Sequence, residues 1–246
     1  MSSAPDLTSR IIRHERALVG ASVGLLAGLG WWYIAAGALG RRMTMAAMPA
    51  YNPPIGALVV MWWLMMLAMM LPSAAPAILL YARVRAARAH VTAIAKTWVF
   101  LAGYLAIWLL FSIAAALVQR GLAGPSMAIN NRLAQGAVLI AAGTYQLSAL
   151  KSACMRECRS PAQFISRHWR PGWQGAVRLG LMHGGYCVGC CWMLMALLFA
   201  GGVMNLIWIA ALAILVLIEK ALPRGQWVGR GAGVVVICWG VATLAV

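Results

Sequence analysis

Apolar residues along this chain come in long runs that are separated by short polar segments. A helix that crosses a membrane needs about 20 predominantly apolar residues at a rise of about 1.5 Å per residue. Seven runs reach or approach that length, at residues 17–39, 55–82, 93–118, 133–150, 177–200, 204–222 and 228–246. The pattern predicts an all-α, polytopic bundle of seven transmembrane helices that forms a single domain over residues 1–246.

The basic residues between the runs predict the orientation of this bundle. Cytoplasmic segments of membrane proteins carry an excess of Lys and Arg. With the N-terminus in the cytoplasm, only Arg41, Arg42, Arg120 and Arg132 fall on the opposite side, and the other sixteen of the twenty Lys and Arg residues are cytoplasmic. This asymmetry favours a cytoplasmic N-terminus and a C-terminus on the other side.

Composition supports a membrane protein and argues against nucleic-acid binding. The chain is 63% hydrophobic and only 10% charged, whereas soluble domains carry about 25% charged residues. A net charge of +16 would favour nucleic acid as the partner of a soluble protein. Here we interpret the basic residues as topology signals and lipid-headgroup contacts, so the expected partner is the lipid bilayer and not nucleic acid.

Cysteine and histidine are concentrated between Lys151 and Trp192, which hold five of the six cysteines and two of the four histidines. In the fifth predicted helix, a turn of about 100° per residue places His183, Cys187, Cys190 and Cys191 within an arc of about 100°. A lone free cysteine is an ordinary small core residue. Three cysteines and a histidine on one stripe favour metal ligation or thiol redox chemistry, with packing as the alternative.

Cys154 and Cys158 form a second group, where we expect the fourth helix to continue past Lys151 into a basic cytoplasmic loop. Residues four apart on a helix share a face, with Cβ atoms about 5–6 Å apart. Two thiolates so placed can ligate one soft ion, and a cytoplasmic location disfavours a disulfide between them. The alternative is a pair of small residues at a helix end.

A methionine run in the second predicted helix adds soft sulfur atoms. Met65 and Met69 belong to a series at four-residue spacing that also includes Met61, and Met66 and Met70 form another. Thioethers select Cu(I), although methionine also fills gaps in apolar helices without any other role. Met65 and Met69 are therefore candidate secondary ligands in an outer relay, and they favour copper over zinc or iron.

Glu219 and His168 are further candidates near the cysteines. Glu219 is the only acidic residue inside the apolar runs, and we expect it to pair with Lys220 or with a basic residue of a neighbouring helix. A proton-relay or ligand-supporting role is the alternative. His168 lies beside Trp169 and is expected to anchor the chain at the membrane interface, with metal ligation as its alternative.

Small and helix-breaking residues predict how the helices pack. Gly180 and Gly184 are four residues apart, a spacing that permits close helix packing and would let the backbone of the second or sixth helix approach the thiols. Pro72 removes one backbone hydrogen bond from the second helix. The carbonyl near Ala68 therefore needs a donor, from Ser73 or from a neighbouring helix.

Three stretches carry a resemblance to a known family: MMLPSAAP, YQLSALKSAC with the following CRSP, and YCVGCCWMLMALLFAGGVMNLIW. They resemble the domain of unknown function 2182 family, whose members are described as predicted metal-binding integral membrane proteins. The likeness runs roughly from Trp62 to the C-terminus. It implies a polytopic protein of the bacterial inner membrane whose metal ligands, carried over by position, are Cys154, Cys158, His183, Cys187, Cys190 and Cys191.

We therefore expect a non-catalytic membrane protein that binds a soft metal ion, preferably copper, and hands it on. Its partner would be a metal-donor protein or a membrane complex. Two other classes stay open. One is a membrane thiol or metal-dependent oxidoreductase in which two neighbouring cysteines cycle between thiol and disulfide. The other is a structural subunit of a membrane complex in which the cysteines only pack.

Overall fold

A computed structural model of the chain describes residues 4–44, 53–88, 93–122, 129 and 131–245. Over these ranges the chain forms nine α-helices and no β-strand, which confirms the all-α prediction. The helices are α1 (Ala4–Thr44), α2 (Ile55–Arg88), α3 (Ala93–Leu122), α4 (Arg132–Leu147), α5 (Ala149–Arg159), α6 (Pro161–His168), α7 (Gly172–Gly201), α8 (Leu206–Ala221) and α9 (Gly225–Ala245).

Most of the predicted spans correspond to helices that are long and apolar enough to cross a membrane. Among the described residues, five stretches are long and apolar enough to cross a membrane, namely Ala17–Gly37, Ile55–Ala86, Ala95–Gly121, Gly172–Gly201 and Gly225–Ala245. The pair α4 and α5 makes a sixth if it is taken as one bent span. Helix α8 has 16 residues, fewer than the about 20 that a span needs. Val246, the end of the last predicted run, lies outside the described residues.

The fourth helix does not continue past Lys151, so the prediction of one helix over 133–150 and beyond is wrong. Helix α4 ends at Leu147, and Ser148 is extended with φ −71° and ψ 152°. The Ser148 hydroxyl accepts a hydrogen bond from the Lys151 backbone N–H at 3.1 Å, which caps the start of α5. The chain bends by 60° at this serine, and α5 packs against α7.

The predicted basic loop between Lys151 and Arg178 is also helical. It contains α5, α6 and the first turns of α7. Pro161 lies at the first position of α6, where proline costs no hydrogen bond because that N–H has no partner within the helix. Helices α2 and α3 likewise extend beyond their predicted ends at residues 82 and 118, since polar residues continue each helix after its apolar run.

Helix α7 packs against α3, α4, α5 and α8 and so lies at the centre of the bundle. Its glycines permit close contact with α3, because a Cβ on Gly180 would overlap the Phe100 carbonyl. A Cβ on Gly184 would lie 2.9 Å from the Cβ of Ile107, also on α3. The helix that packs closely on these glycines is therefore α3.

Helix α2 runs through Pro72 without interruption. The Trp31 indole N–H of α1 donates to the Ala68 carbonyl at 3.1 Å, which provides the donor that Pro72 cannot supply. The Ser73 hydroxyl donates instead to the Met70 carbonyl at 2.9 Å. Of the two expected sources, the neighbouring helix is the one that satisfies Ala68.

Candidate metal site

Three cysteines of α7 form a buried group. Cys187, Cys190 and Cys191 are each at most 1% exposed. The Cys190 and Cys191 thiols both donate to the Cys187 carbonyl oxygen, at 3.1 and 2.8 Å. Since one carbonyl accepts both hydrogen bonds, the two sulfurs are held on the same side of α7. All six cysteines of the chain are free thiols.

Helix α5 brings a fourth sulfur to this group. The Cys158 Sγ lies 4.0 Å from the Cys190 Sγ, and it also interacts with the Cys187 side chain. At about 2.3 Å per metal–sulfur bond, two sulfurs on one ion are about 3.7 Å apart at a tetrahedral angle and about 4.6 Å apart in a linear arrangement. The separation of 4.0 Å falls between these limits, so one ion can bridge α5 and α7.

Met70 of α2 adds a thioether to the group. Its Sδ lies 3.8 Å from the Cys191 Sγ, again a distance that two ligands of one ion adopt. Met65 and Met69 are buried in the core as well, but the structure places Met70 against the thiols. The relay roles of Met65 and Met69 stay predictions.

Cys154 lies at the edge of the cluster, one turn before Cys158 on α5. Its Sγ faces Gly189, where an added Cβ would lie 2.9 Å away. Cys154 and Cys158 are partly buried, whereas the α7 thiols are fully buried. The sulfurs therefore form a series that begins at partly buried positions on α5 and ends in the core at Met70.

His183 is buried one turn before Cys187, but aromatic rings surround it. Its ring centroid lies 5.3 Å from that of Phe164, 5.8 Å from Tyr104 and 6.1 Å from Phe100. Among the described residues its Nδ1 finds no hydrogen-bond partner, which is costly for a buried polar atom. The nitrogen is thus free to accept a ligand, and a role for His183 in binding metal stays a prediction.

His168 lies at the end of α6, where its Nδ1 is 3.0 Å from the Phe164 carbonyl. Its ring packs on Phe164 at a centroid distance of 5.1 Å. The Phe164 ring therefore contacts both histidines, His168 and His183. The ligand role that we considered for His168 also stays a prediction.

Sequence reasoning did not place Lys220 in this site. Its Nζ lies 3.0 Å from the Cys187 Sγ and 3.2 Å from the Ser73 Oγ. The Tyr104 hydroxyl lies 3.2 Å from the same sulfur. Consecutive residues on a helix point about 100° apart, so Glu219 and Lys220 face different neighbours. The helical period is therefore the sequence signal that could have shown that these two residues do not pair with each other.

Glu219 pairs with the basic residue of a neighbouring helix. Its carboxylate is 2.6 Å from the Lys151 Nζ of α5, and both side chains are buried, with 1% and 6% exposure. The Gln146 side-chain amide also donates to Glu219. This buried network connects α4, α5 and α8 beside the break at Ser148.

The donors suit a soft ion with few ligands. Within the described ranges, no three His, Cys, Asp or Glu side chains are arranged to hold one metal ion. Paired thiols with a neighbouring thioether are the ligands that Cu(I) prefers, so the chemistry of the cluster fits copper better than zinc.

Comparison with known families decides which metal the chain handles. A family model described as PpoB2, copper chaperone, matches residues 59–243. The chain belongs to the PpoB2 copper chaperone family. The matched range contains all six cysteines, Met70 and Lys220. No curated protein matches the chain, and no solved structure does.

Membership of the PpoB2 family corrects one inference and supports another. The family that we assigned from the sequence motifs, the domain of unknown function 2182 family, is wrong, because the match is to the copper chaperone family PpoB2. Copper handling, which we expected from the soft sulfur ligands, follows from the family description. Copper is therefore the metal partner of this PpoB2 member.

Proposed function

We propose that this PpoB2 copper chaperone is an integral protein of the plasma membrane that carries Cu(I) on sulfur atoms between α5, α7 and α2. The observation that carries the proposal is the 4.0 Å separation of the Cys158 and Cys190 sulfurs. It joins the two cysteine groups of the sequence in one place. The two thiolates bind the ion first, and the thioether of Met70 lies deeper.

The order of burial supports a direction of transfer. Cu(I) enters at the partly buried Cys154 and Cys158 and moves to the fully buried Cys190, beyond which Cys191 and Met70 continue the series of sulfurs. Each step replaces one sulfur ligand by another, and the copper stays Cu(I) throughout. A protein that donates or accepts copper therefore docks beside α5, and a membrane complex that receives the ion is the alternative partner.

The membrane arrangement that we propose has seven spans, with the N-terminus and the α5 cysteines on the cytoplasmic side. Five or six spans are supported by helix length, and α8 supplies the seventh as a short helix. The division of basic residues, sixteen on one side and four on the other, supports the orientation. In the cytoplasm the α5 thiols stay reduced and ready to bind copper.

Cu(I) titration of the purified protein in detergent tests this function. Under anaerobic conditions, with a Cu(I) chelator as competitor, the wild type should bind at least one equivalent. Cys158→Ser and Cys190→Ser should each lower the affinity by at least about 100-fold, since even residues that only orient a metal ligand contribute about 10–100-fold. Cys238→Ser is the matched control, because this cysteine is exposed on α9. Unchanged affinity in both Cys158→Ser and Cys190→Ser would refute the site.

Thiol redox chemistry is the second candidate, and the same pair favours it. A disulfide has an S–S distance of about 2.05 Å, and the Cys158 and Cys190 sulfurs already lie 4.0 Å apart. Alkylation trapping in cells distinguishes the two functions. Copper carriage requires both thiols to be reduced at steady state, whereas an oxidoreductase shows a fraction in the disulfide form.

A further inference from the structure

Lys220 brings a positive charge into contact with the sulfur cluster. Its Nζ contacts the Cys187 Sγ at 3.0 Å, and it lies within electrostatic range of Cys158, Cys190 and Cys191. The lysine comes from α8, whereas the thiols come from α5 and α7. One positive charge is thus placed beside the thiols of Cys158, Cys187, Cys190 and Cys191.

The positive charge of Lys220 is not taken up by a carboxylate. Glu219 lies within electrostatic range, but its oxygens are engaged by Lys151 at 2.6 Å and by Gln146. In the part of the chain that the structure describes, Lys220 forms no ion pair with an acidic side chain. Its hydrogen-bond partners are the Cys187 sulfur and the Ser73 hydroxyl.

The net charge of a metal complex beside Lys220 depends on the valence of the metal. A monovalent ion on two thiolates carries one net negative charge, which the ammonium neutralises. A divalent ion on two thiolates is neutral, so the ammonium stays as an uncompensated positive charge. Uncompensated charge in a low-dielectric interior is strongly unfavourable, and the lysine therefore favours the monovalent complex.

We infer that Lys220 makes the sulfur cluster selective for monovalent Cu(I) over divalent ions such as Zn(II). The inference rests on the proposed function, because it requires the cluster to bind Cu(I). Thiolates alone bind Zn(II) well, so a copper chaperone needs a means of rejecting it. Here a fixed charge on α8 adds to the preference for copper that the thioether of Met70 already gives.

Competition between Ag(I), a monovalent probe that does not change oxidation state, and Zn(II) tests the inference. The purified wild type should bind Ag(I) at least about 100-fold more tightly than Zn(II), a modest expectation for unit charges about 4 Å apart at an effective dielectric constant of about 20. Lys220→Met and Lys220→Gln should lower that ratio by about 100-fold. Lys220→Arg should retain it, because the charge is kept.

Ser73→Ala is the matched control, since it removes the other hydrogen-bond partner of Lys220 and leaves the charge in place. Its Ag(I)-to-Zn(II) ratio should equal that of the wild type. A wild type that binds neither Cu(I) nor Ag(I) refutes the proposed function and this inference with it. A wild type that binds Cu(I) but binds Zn(II) equally well overturns only the inference, as does a neutral variant that folds and keeps the ratio.

Discussion

The Cys158 sulfur of α5 lies 4.0 Å from the Cys190 sulfur of α7, although 32 positions separate them in the sequence. This contact exists because the chain bends by 60° between α4 and α5. A straight fourth helix would carry Cys158 away along its own axis. The bend instead lays α5 against α7, so that two cysteine groups become one cluster.

Mild oxidation should convert this contact into a disulfide. Treatment of the purified protein with a thiol oxidant is expected to link Cys158 to Cys190, since their sulfurs lie 4.0 Å apart and a disulfide bond is about 2.05 Å long. Prior addition of one equivalent of Ag(I) should prevent the link by occupying both sulfurs. Peptide mass spectrometry without reductant identifies the product. A Cys154–Cys158 disulfide in its place would argue against the arrangement of α5 on α7.

Gly180→Ala should destabilise the bundle, because the new methyl group would overlap the Phe100 carbonyl at the contact of α7 with α3. Overpacking of this kind costs about 1–3 kcal/mol in the free energy of unfolding. Gly185→Ala is the matched control on the same helix, since nothing lies within 4 Å of its added Cβ. Thermal unfolding followed by tryptophan fluorescence should separate the two variants. Equal melting temperatures would show that α3 does not pack on α7 at Gly180.

Lys151→Met should destabilise the protein more strongly than the loss of a surface pair. It leaves the Glu219 carboxylate, 1% exposed, without its cation, and breaking a buried pair costs about 3–5 kcal/mol. Adding Glu219→Gln to this variant should restore much of the loss, because no buried charge is then unpaired.

Arg167→Ala is the control for this prediction. It removes the exposed pair with Glu157, whose atoms are 3.7 Å apart, and such pairs contribute about 0–1 kcal/mol. Chemical denaturation in detergent measures the free energy of unfolding of Lys151→Met, of Lys151→Met with Glu219→Gln, and of Arg167→Ala. A Lys151→Met protein as stable as Arg167→Ala would show that the buried pair is not formed in solution.

Helix α8 should cross the membrane in spite of its 16 residues. Reporter fusions after Met204 and after Pro223, in the two turns that flank the helix, test this directly. If α8 spans, alkaline phosphatase is active in the first fusion only, since the turn at Met204 is then outside and the turn at Pro223 is cytoplasmic. Equal activity in both fusions would place α8 on one side and reduce the span count to six or fewer.

The sequence predicts those features that repeat along a single helix. The stripe of Cys187, Cys190 and Cys191 follows from the helical period alone, and the structure keeps these residues together on α7. The break at Ser148 was missed because the apolar run continues through it, and hydropathy does not register a serine that caps a helix. The sequence signal for the break was Ser148 itself, which lies three residues before Lys151, the residue whose backbone N–H donates to its hydroxyl.

Contacts between distant helices were beyond sequence reasoning. Met69 and Met70 each belong to a methionine series at four-residue spacing, so the sequence does not distinguish them. Only the contact of α2 with α7 decides which of the two sulfurs lies next to Cys191. Lys151 and Glu219 are separated by 68 positions. The sequence therefore predicted a basic partner for Glu219, but it did not indicate which basic residue this would be. Lys220 was one of two expected partners for Glu219, whereas in the fold its Nζ lies against the Cys187 sulfur.

X-ray absorption at the copper edge of the Cu(I)-loaded protein tests the central claim most directly. We predict that sulfur alone surrounds the copper in the wild type, with two or three scatterers. In the Cys158→Ser/Cys190→Ser double variant, the bound copper and its sulfur shell should both be lost, while Cys238→Ser should give the wild-type spectrum. A copper ion surrounded mainly by nitrogen or oxygen, or a sulfur shell unchanged in the double variant, would contradict a copper site between α5 and α7.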